Sequence, residues 1–583
     1  MTLKFFYFVL AVLVISSAVF GQDVLPIAGS DTVMVDSTTH FRIVGGYRSE
    51  NNVAFYEPTT GNLLVTYYYI GTSGEPDGQR RIVAATSTDD GATWSVVRTV
   101  NSGVPDEMNA YYPVAYGNAT TPIIVYYNRA NPDANIYSDP ILATDLLGWG
   151  GGLWNNVSVD VSGTADTVVD NRYHTFAIAP DNPNLWLIGG VQYYPNTSSA
   201  GWLSLYRSTD GGATWGKQIQ VVTVVSDDSL KSNYVYSFSG STPPLAISAG
   251  SNNKVYGVFQ AKKESSLDIE QVMYATSDDG GLTWTDPTPI PGTETLWFST
   301  DDIYRNFATL IDNAGNWHVF GMGIDTTEIV AGEDWPYRVW DFRFNGSDWT
   351  ITKFGFPQLL NNGMVEPATT GSDEEDVMNS PAIGPDGTLY YAYTDVYDTT
   401  GSGGDPIAYK YRIYVMISQD NGTTWQGPTW VFDKPGWASE YPCEMTRTAS
   451  DKLHFFFREG EGGTDVYKQL TYLSVPTQGV KDKILSLPDN IANELPRSFK
   501  LFQNYPNPFN PATTIRFDLK QNAHVKITIF NLLGQRIETI VDQTMTAGFK
   551  AVVWNAAHLP SGKYYYRLQA DDFTDVKQMT LIK

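Results

Sequence analysis

The chain of 583 residues contains a single cysteine, Cys443. No internal disulfide can form and no cysteine-rich zinc site can be assembled, so packing must hold the fold, with Cys443 expected as a core thiol. Positive charge is also scarce. Lys plus Arg number 38 against 63 Asp plus Glu, a net charge of −25. A nucleic-acid binder needs a basic face to neutralise phosphates, and adhesion to an anionic lipid surface needs the same, so both classes are disfavoured. Histidines number only 6 and are scattered. Neither H-E-x-x-H nor G-x-S-x-G occurs. Gly211–Gln218 comes close to a phosphate-binding loop but lacks the hydroxyl after Lys217. Beyond residue 21 no apolar run is long enough to span a bilayer as a helix. No metal or organic cofactor is expected.

What is abundant points elsewhere. Aromatic residues make up 14% of the chain, with 51 Gly and 32 Pro. Many aromatics and turn formers with few charges predict an all-β protein. Residues 1–21 place Lys4 before an apolar run from Phe5 to Ile15, then small residues up to Gly21. This is the pattern of a secretory signal peptide cut before Gln22, and with no cysteine after the cut it is not a lipoprotein signal.

An octapeptide of the form S-x-D-x-G-x-T-W occurs four times: Ser87–Trp94, Ser208–Trp215, Ser277–Trp284 and Ser418–Trp425. Successive tryptophans are 121, 69 and 141 residues apart, near multiples of a unit of about 65, and such a period marks a propeller or solenoid. The aspartates Asp89, Asp210, Asp279 and Asp420 are expected to accept bonds from the amides of the following turn. The tryptophans Trp94, Trp215, Trp284 and Trp425 are expected to pack between sheets. The octapeptide therefore reads as a folding device rather than an active site. A second repeat, a short strand, a Gly/Asn turn and an aromatic strand, begins near Val53, Tyr112, His174, Pro243, Asn306, Ser380 and Cys443. Seven such units predict seven blades, with six as the alternative. Thr39–Gly46 is the candidate fourth strand for the seventh unit, closing the ring and removing its open edges.

The four octapeptides resemble the Asp-box, or bacterial neuraminidase, repeat. The resemblance implies a sialidase-like β-propeller over residues 22–477. Ligands of such folds meet the loops that lead into the innermost strands. On that phase the candidates are Asp106, Glu107, Asp170, Arg172, Tyr173, His174, Asp301, Asp302, Tyr304, Arg305, the acidic run Asp373–Asp376, Glu440 and Tyr441. Asp301, Asp302, Glu440 and Tyr441 are the catalytic candidates, because a carboxylate pair can cleave a glycosidic bond. Arg172, Tyr173, His174, Tyr304 and Arg305 are the substrate-binding candidates: aromatic faces stack on sugar rings and guanidinium groups hold acidic sugars. A sialidase requires three arginines and an F/Y-R-I-P motif at the first inner strand. The segment Phe41–Val44 reads FRIV, about ten residues ahead of the expected strand, and no third arginine falls in phase. The readings are a glycan-binding propeller or a glycoside hydrolase of the exo-α-sialidase type or a relative.

Residues 478–494 read as a linker. After them YPNPFNP (Tyr505–Pro511), FNLLGQRI (Phe530–Ile537) and LPSGKYYYRL (Leu559–Leu568) punctuate five alternating strands. Residues 495–583 are thereby predicted to form a small Ig-like β-sandwich. These motifs resemble the C-terminal sorting domain of the type IX secretion system. The resemblance implies partnership with that secretion machinery and passage through the periplasm to the medium or the outer cell surface.

Overall fold

Residues 25–36, 41–42, 53–70, 80–102, 110–128, 139–159, 170–193, 200–216, 219–223, 245–262, 270–293, 296–297, 307–325, 337–354, 380–398, 410–433, 444–460, 467–486, 499–504, 507–521, 523–545 and 548–582 are described by a computed structural model of the chain. Among them, residues 31–476 form seven antiparallel sheets arranged as a β-propeller. In each of the first six, the strands lie side by side in chain order from the inner edge outward.

Each sheet packs on the next through a buried seam. Leu64, Ile82, Ala115 and Ile124 join the first and second sheets. Val114, Ile188 and Tyr206 join the second and third. Between the fifth and sixth lie Phe320, Tyr391 and Trp425. The seam from the seventh sheet back to the first contains Val35, Leu63, Phe456 and Tyr472. Burying an aromatic or branched aliphatic side chain contributes roughly 1.5–3 kcal/mol, so these seams can hold the ring without a disulfide.

The closing strand differs from expectation. Asp31–Asp36, not Thr39–Gly46, pairs antiparallel with Tyr467–Pro476 and completes the seventh sheet. Its end is locked to the first sheet by a buried carboxylate. Asp36 accepts two bonds from the Arg98 guanidinium, both 2.8 Å, and one from the Tyr67 hydroxyl. A bidentate arginine and a phenol satisfy the charge that burial would otherwise penalise. Phe41–Arg42 instead pairs with Tyr68 and Tyr69, on the same side of strand Asn62–Ile70 as Ala54–Glu57. The first sheet thus has an inner edge in two pieces.

The stretch that reads as a linker opens with a helix, Thr477–Leu485. Val480 and Ile484 are buried against the sixth and seventh sheets, and Lys481 Nζ reaches Asp386 Oδ2 at 2.6 Å. Local composition favoured a linker; burial of this apolar pair favours the helix.

Residues 500–581 form the second domain. A three-stranded sheet (Lys500–Leu501, Ala512–Leu519, Gly548–Asn555) lies over a four-stranded one (Ala523–Asn531, Arg536–Met545, Gly562–Ala570, Phe573–Leu581). Alternate residues such as Ile515, Phe517, Ile527, Ile529, Tyr566 and Leu568 fill the space between them, as period-two patterning requires. Phe509, from the proline-rich segment, bonds through its backbone to Thr580 and Ile582, both at 2.9 Å.

Candidate functional site

Strand direction divides the propeller into two faces. Turns between first and second strands, and hairpins between third and fourth, lie at one edge of the sheets, the hairpin edge. The second-to-third connections and the passages between sheets leave from the opposite edge. The four octapeptides occupy the hairpin edge. In the first, Asp89 accepts bonds from Thr93 N (2.8 Å), Thr93 Oγ1 (2.6 Å) and Ser87 Oγ (2.8 Å). The same threonine and serine bonds recur at Asp210, Asp279 and Asp420. The threonine bonds hold Asp210 and Asp279 at a pKa of about 2. They hold Asp89 below the usual range too, and at Asp420 they outweigh burial. A carboxylate that is ionised and fully occupied by its own turn is neither a proton donor nor an available base.

The octapeptide carries a rule that the sequence pattern only hints at. Asp90, Gly211, Gly280 and Asn421 all have positive φ, as do the glycines that follow them. Asn, Asp and Gly tolerate that conformation best, which accounts for the residue types at the position before the glycine. The glycines are also close-packed. A methyl group at Gly91 would lie 2.2 Å from Tyr472 Cε1, and one at Gly422 2.5 Å from Asp341 Oδ2. Gly91 and Gly422, with Gly281 at 2.5 Å from Leu205, latch their hairpins to the preceding sheet, whereas Gly212 meets Trp186 of its own sheet. The second sheet reaches the same end with a different sequence. Asp145 accepts from the amides of Leu147, Gly152 and Leu153, while Trp149 Nε1 donates to Asn118 O at 2.9 Å.

Gly422 lies against a buried charged network. His318 Nδ1 is 2.9 Å from Asp341 Oδ1, and His318 Nε2 is 3.3 Å from Asp312 Oδ2. Trp425 Nε1 donates to Asp341 Oδ2 at 3.4 Å. Burial pulls the His318 pKa down, but the two carboxylates prevail and raise it to about 9. The imidazolium is held between two carboxylates of its own fifth sheet, and the Trp425 bond ties that network to the sixth. His454 is the opposite case: burial, aided by Lys452, pushes its pKa down to about 3. It stays neutral between Ser450 Oγ at 3.2 Å and Tyr472 OH at 2.7 Å. Both lie near the hairpin edge and act in packing.

At the opposite edge the inner strands are interrupted. Ala110–Gly117 of the second sheet is bulged between Tyr111 and Val114, and Tyr112 has φ of 45°. Asp170–Ala179 of the third sheet is bulged between Arg172 and Thr175. Bulges gather near active sites because they re-aim side chains, and a tyrosine at positive φ is strained. The two bulges frame an aromatic group. Tyr112 sits 6.0 Å from Tyr111 and 5.9 Å from Tyr127, and His174 stands edge-on to Tyr127 at 5.4 Å. Tyr111, Tyr127 and His174 are buried, whereas Tyr112 is partly exposed. Burial pushes the His174 pKa down to about 3. The neutral ring is enclosed beside Tyr127.

Two other sheets are interrupted by inserted sequence. In the fifth, Leu296–Trp297 and Ala308–Ile311 pair with the same strand, Trp317–Asp325. Asp301, Asp302, Tyr304 and Arg305 fall in the insertion between these pieces and lie outside the described residues. In the first sheet the insertion follows Arg42. That arginine belongs to the inner edge itself, contrary to the expectation that FRIV stands apart from it. Arg172 lies on the inner strand of the third sheet, opposite Val191, and Tyr173 is inside its bulge. Asp106, Glu107, Asp373–Asp376, Glu440, Tyr441 and Cys443 lie outside the described residues. Among the described residues no group of histidine, cysteine, aspartate or glutamate is arranged to hold a metal ion, and no helix is long and apolar enough to cross a membrane.

The sequence that joins strands at this interrupted edge is strongly acidic. Within residues 37–466, the segments that join consecutive strands at this edge hold 28 acidic and 7 basic residues, a net charge of −21 out of −25 for the whole chain.

Among solved structures, the chain is similar to a protein of unknown function from Dyadobacter fermentans, at 13% identity over 78% of this chain and 99% of that one, with a TM-score of 0.39. It is similar to Trypanosoma rangeli sialidase in complex with sialic acid, at 12% identity over 94% and 88%, with a TM-score of 0.37. A third is the GH93 α-L-arabinofuranosidase of Fusarium graminearum in complex with arabinobiose, at 12% identity over 77% and 98%, with a TM-score of 0.33. No curated protein matches the chain. Residues 503–583 match the family described as the secretion system C-terminal sorting domain. This end of the chain is therefore a sorting domain of the type IX secretion system, which directs the protein to the cell surface or beyond.

Proposed function

We propose that the chain is an exported glycan-binding protein whose propeller has seven blades and meets its ligand at the interrupted inner edge. The observation that carries this reading is the pair of neighbouring bulges, which hold Tyr112 strained and partly exposed over a buried aromatic base. A rigid aromatic ring backed by other rings is what a sugar ring stacks upon, and it loses little conformational entropy on binding. Binding loops on a rigid scaffold are the usual place for recognition. The acidic connections oppose an anionic ligand and favour an uncharged glycan.

The placement of Arg42 supports a second reading. With Arg172 and Arg305 it gives three arginines on inner edges or in their insertions, a set suited to an acidic sugar, with Asp301, Asp302, Glu440 and Tyr441 as the groups for hydrolysis. One experiment separates the two. The purified chain is incubated with neutral and sialylated oligosaccharides, and binding and released sugars are both measured. Retention of neutral glycans without release, lost in Tyr112→Ala, supports binding. Release of sialic acid, abolished by Arg42→Ala, replaces it with hydrolysis.

A further inference from the structure

The motif Phe530–Ile537 forms a hairpin turn whose tip the sorting domain does not bury. Its turn is fixed by polar atoms: Asn531 Oδ1 accepts from Leu533 N at 3.0 Å and Gln535 N at 2.9 Å. Asn531 Nδ2 donates to Gln535 Oε1 at 2.8 Å, and Gly534 takes a φ of 75°. The two residues at the tip are left out of the core. Leu532 is 66% exposed and Leu533 81% exposed. A hairpin tip held by an asparagine is ordinarily polar, and two leucines presented there carry an unfavourable hydration cost.

The tip continues into the outer face of the four-stranded sheet. Phe530 is directly opposite Tyr565, and Arg567 opposite Val576. The Arg567 guanidinium lies 5.0 Å from the Phe530 ring centre, and Val576 is 48% exposed. Lys526, Arg536 and Lys563 occupy outward positions of the same sheet, where Asp542 pairs with Lys526. The result is an apolar strip with a basic rim. Its sign is opposite to that of its cargo. Residues 495–583 hold 11 basic and 6 acidic residues, and the remainder of the chain 27 and 57.

We infer that this face is the surface by which the sorting domain docks on a protein of the secretion machinery, whose site is an apolar groove edged with carboxylates. The inference rests on the identity of residues 503–583 as a sorting domain. Complementary charge steers such an encounter, and the exposed leucines supply the desolvated centre of the contact. A second copy of this face is a poor partner, because a two-fold contact would bring like-charged rims together.

The test uses the full chain in a bacterium that carries the secretion system. Leu532→Ser with Leu533→Ser, and separately Arg536→Glu with Lys563→Glu, are compared with wild type and with a chain lacking residues 503–583. Exported and periplasmic protein are quantified. Thermal unfolding and the radius of gyration are measured on the purified chains. The expected result is at least a tenfold loss of export for both double variants with unchanged unfolding midpoint and radius. Export at the wild-type level by both overturns the inference, and so does a radius that rises with the substitutions, since the chain's own acidic propeller is then the occupant. Loss of export accompanied by a lowered unfolding midpoint in both also overturns it, because the face is then structural. If removal of 503–583 leaves export intact, the sorting assignment itself fails.

Discussion

Gly422→Ala gives the sharpest test of how the sheets are latched. At this position φ is 78°, and an added methyl group would lie 2.5 Å from Asp341 Oδ2 and 2.7 Å from His318 Cε1. Two costs therefore add. The left-handed conformation costs a non-glycine residue roughly 1–2 kcal/mol. Forcing a methyl group into a packed site costs a further 1–3 kcal/mol or so. The expected total is about 2–5 kcal/mol. Gly315 provides the control: its φ is 83°, yet nothing lies within 4 Å of an added methyl group. Gly315→Ala should therefore show only the conformational cost, about 1–2 kcal/mol. Urea unfolding of the full chain, followed by tryptophan fluorescence, measures both. Equal destabilisation by the two substitutions would refute the packed latch and leave backbone conformation as the whole effect.

Other consequences follow from the same structure. His318 has a folded pKa of about 9, above the ordinary 6.5 or so. Its contribution is complete below about pH 6.5, declines as pH rises and is lost above about 9, a change of about 3 kcal/mol. Denaturant titrations from pH 6 to 10 should show this decline, and His318→Gln should flatten it. His174 and His454, both depressed to about 3, act on the other side. Their stabilisation is present above about pH 6.5 and is lost as pH falls toward 3. Equilibrium unfolding between pH 7 and 4 should lose stability, and His454→Phe should reduce that loss. A chain ending at residue 476 lacks the buried Val480 and Ile484. It should unfold more easily by about 4 kcal/mol than one ending at 486, as paired urea curves would show.

The repeat was legible because each octapeptide folds itself. Serine, aspartate, glycine and threonine within eight residues close a turn by local bonds, so the pattern survives in sequence. The same logic made the second sheet's turn invisible: Asp145 and Trp149 perform the task with different spacing. The closing strand was misplaced because Thr39–Gly46 and Asp31–Asp36 alternate almost equally well. The choice is made by Asp36 meeting Arg98 and Tyr67 from the first sheet, contacts that no local pattern encodes. Arg42 reads as off phase, about ten residues early, because an insertion inside an inner strand breaks the repeat's spacing. The bulges at Tyr112 and Tyr173 were illegible for a related reason, as a bulge is defined by its partner strand. Asp301, Asp302, Tyr304, Arg305, Glu440 and Tyr441 were singled out by residue type in segments outside the described residues, and they stay proposals.

The central claim is that ligand meets the interrupted inner edge and not the octapeptide face. Hydrogen–deuterium exchange of the full chain, with and without a glycan that it retains, addresses this directly. The account predicts added protection in residues 110–117 and 170–179, with none in the octapeptide hairpins. Protection confined to Ser87–Trp94 and its three counterparts, with the inner strands unchanged, would contradict it.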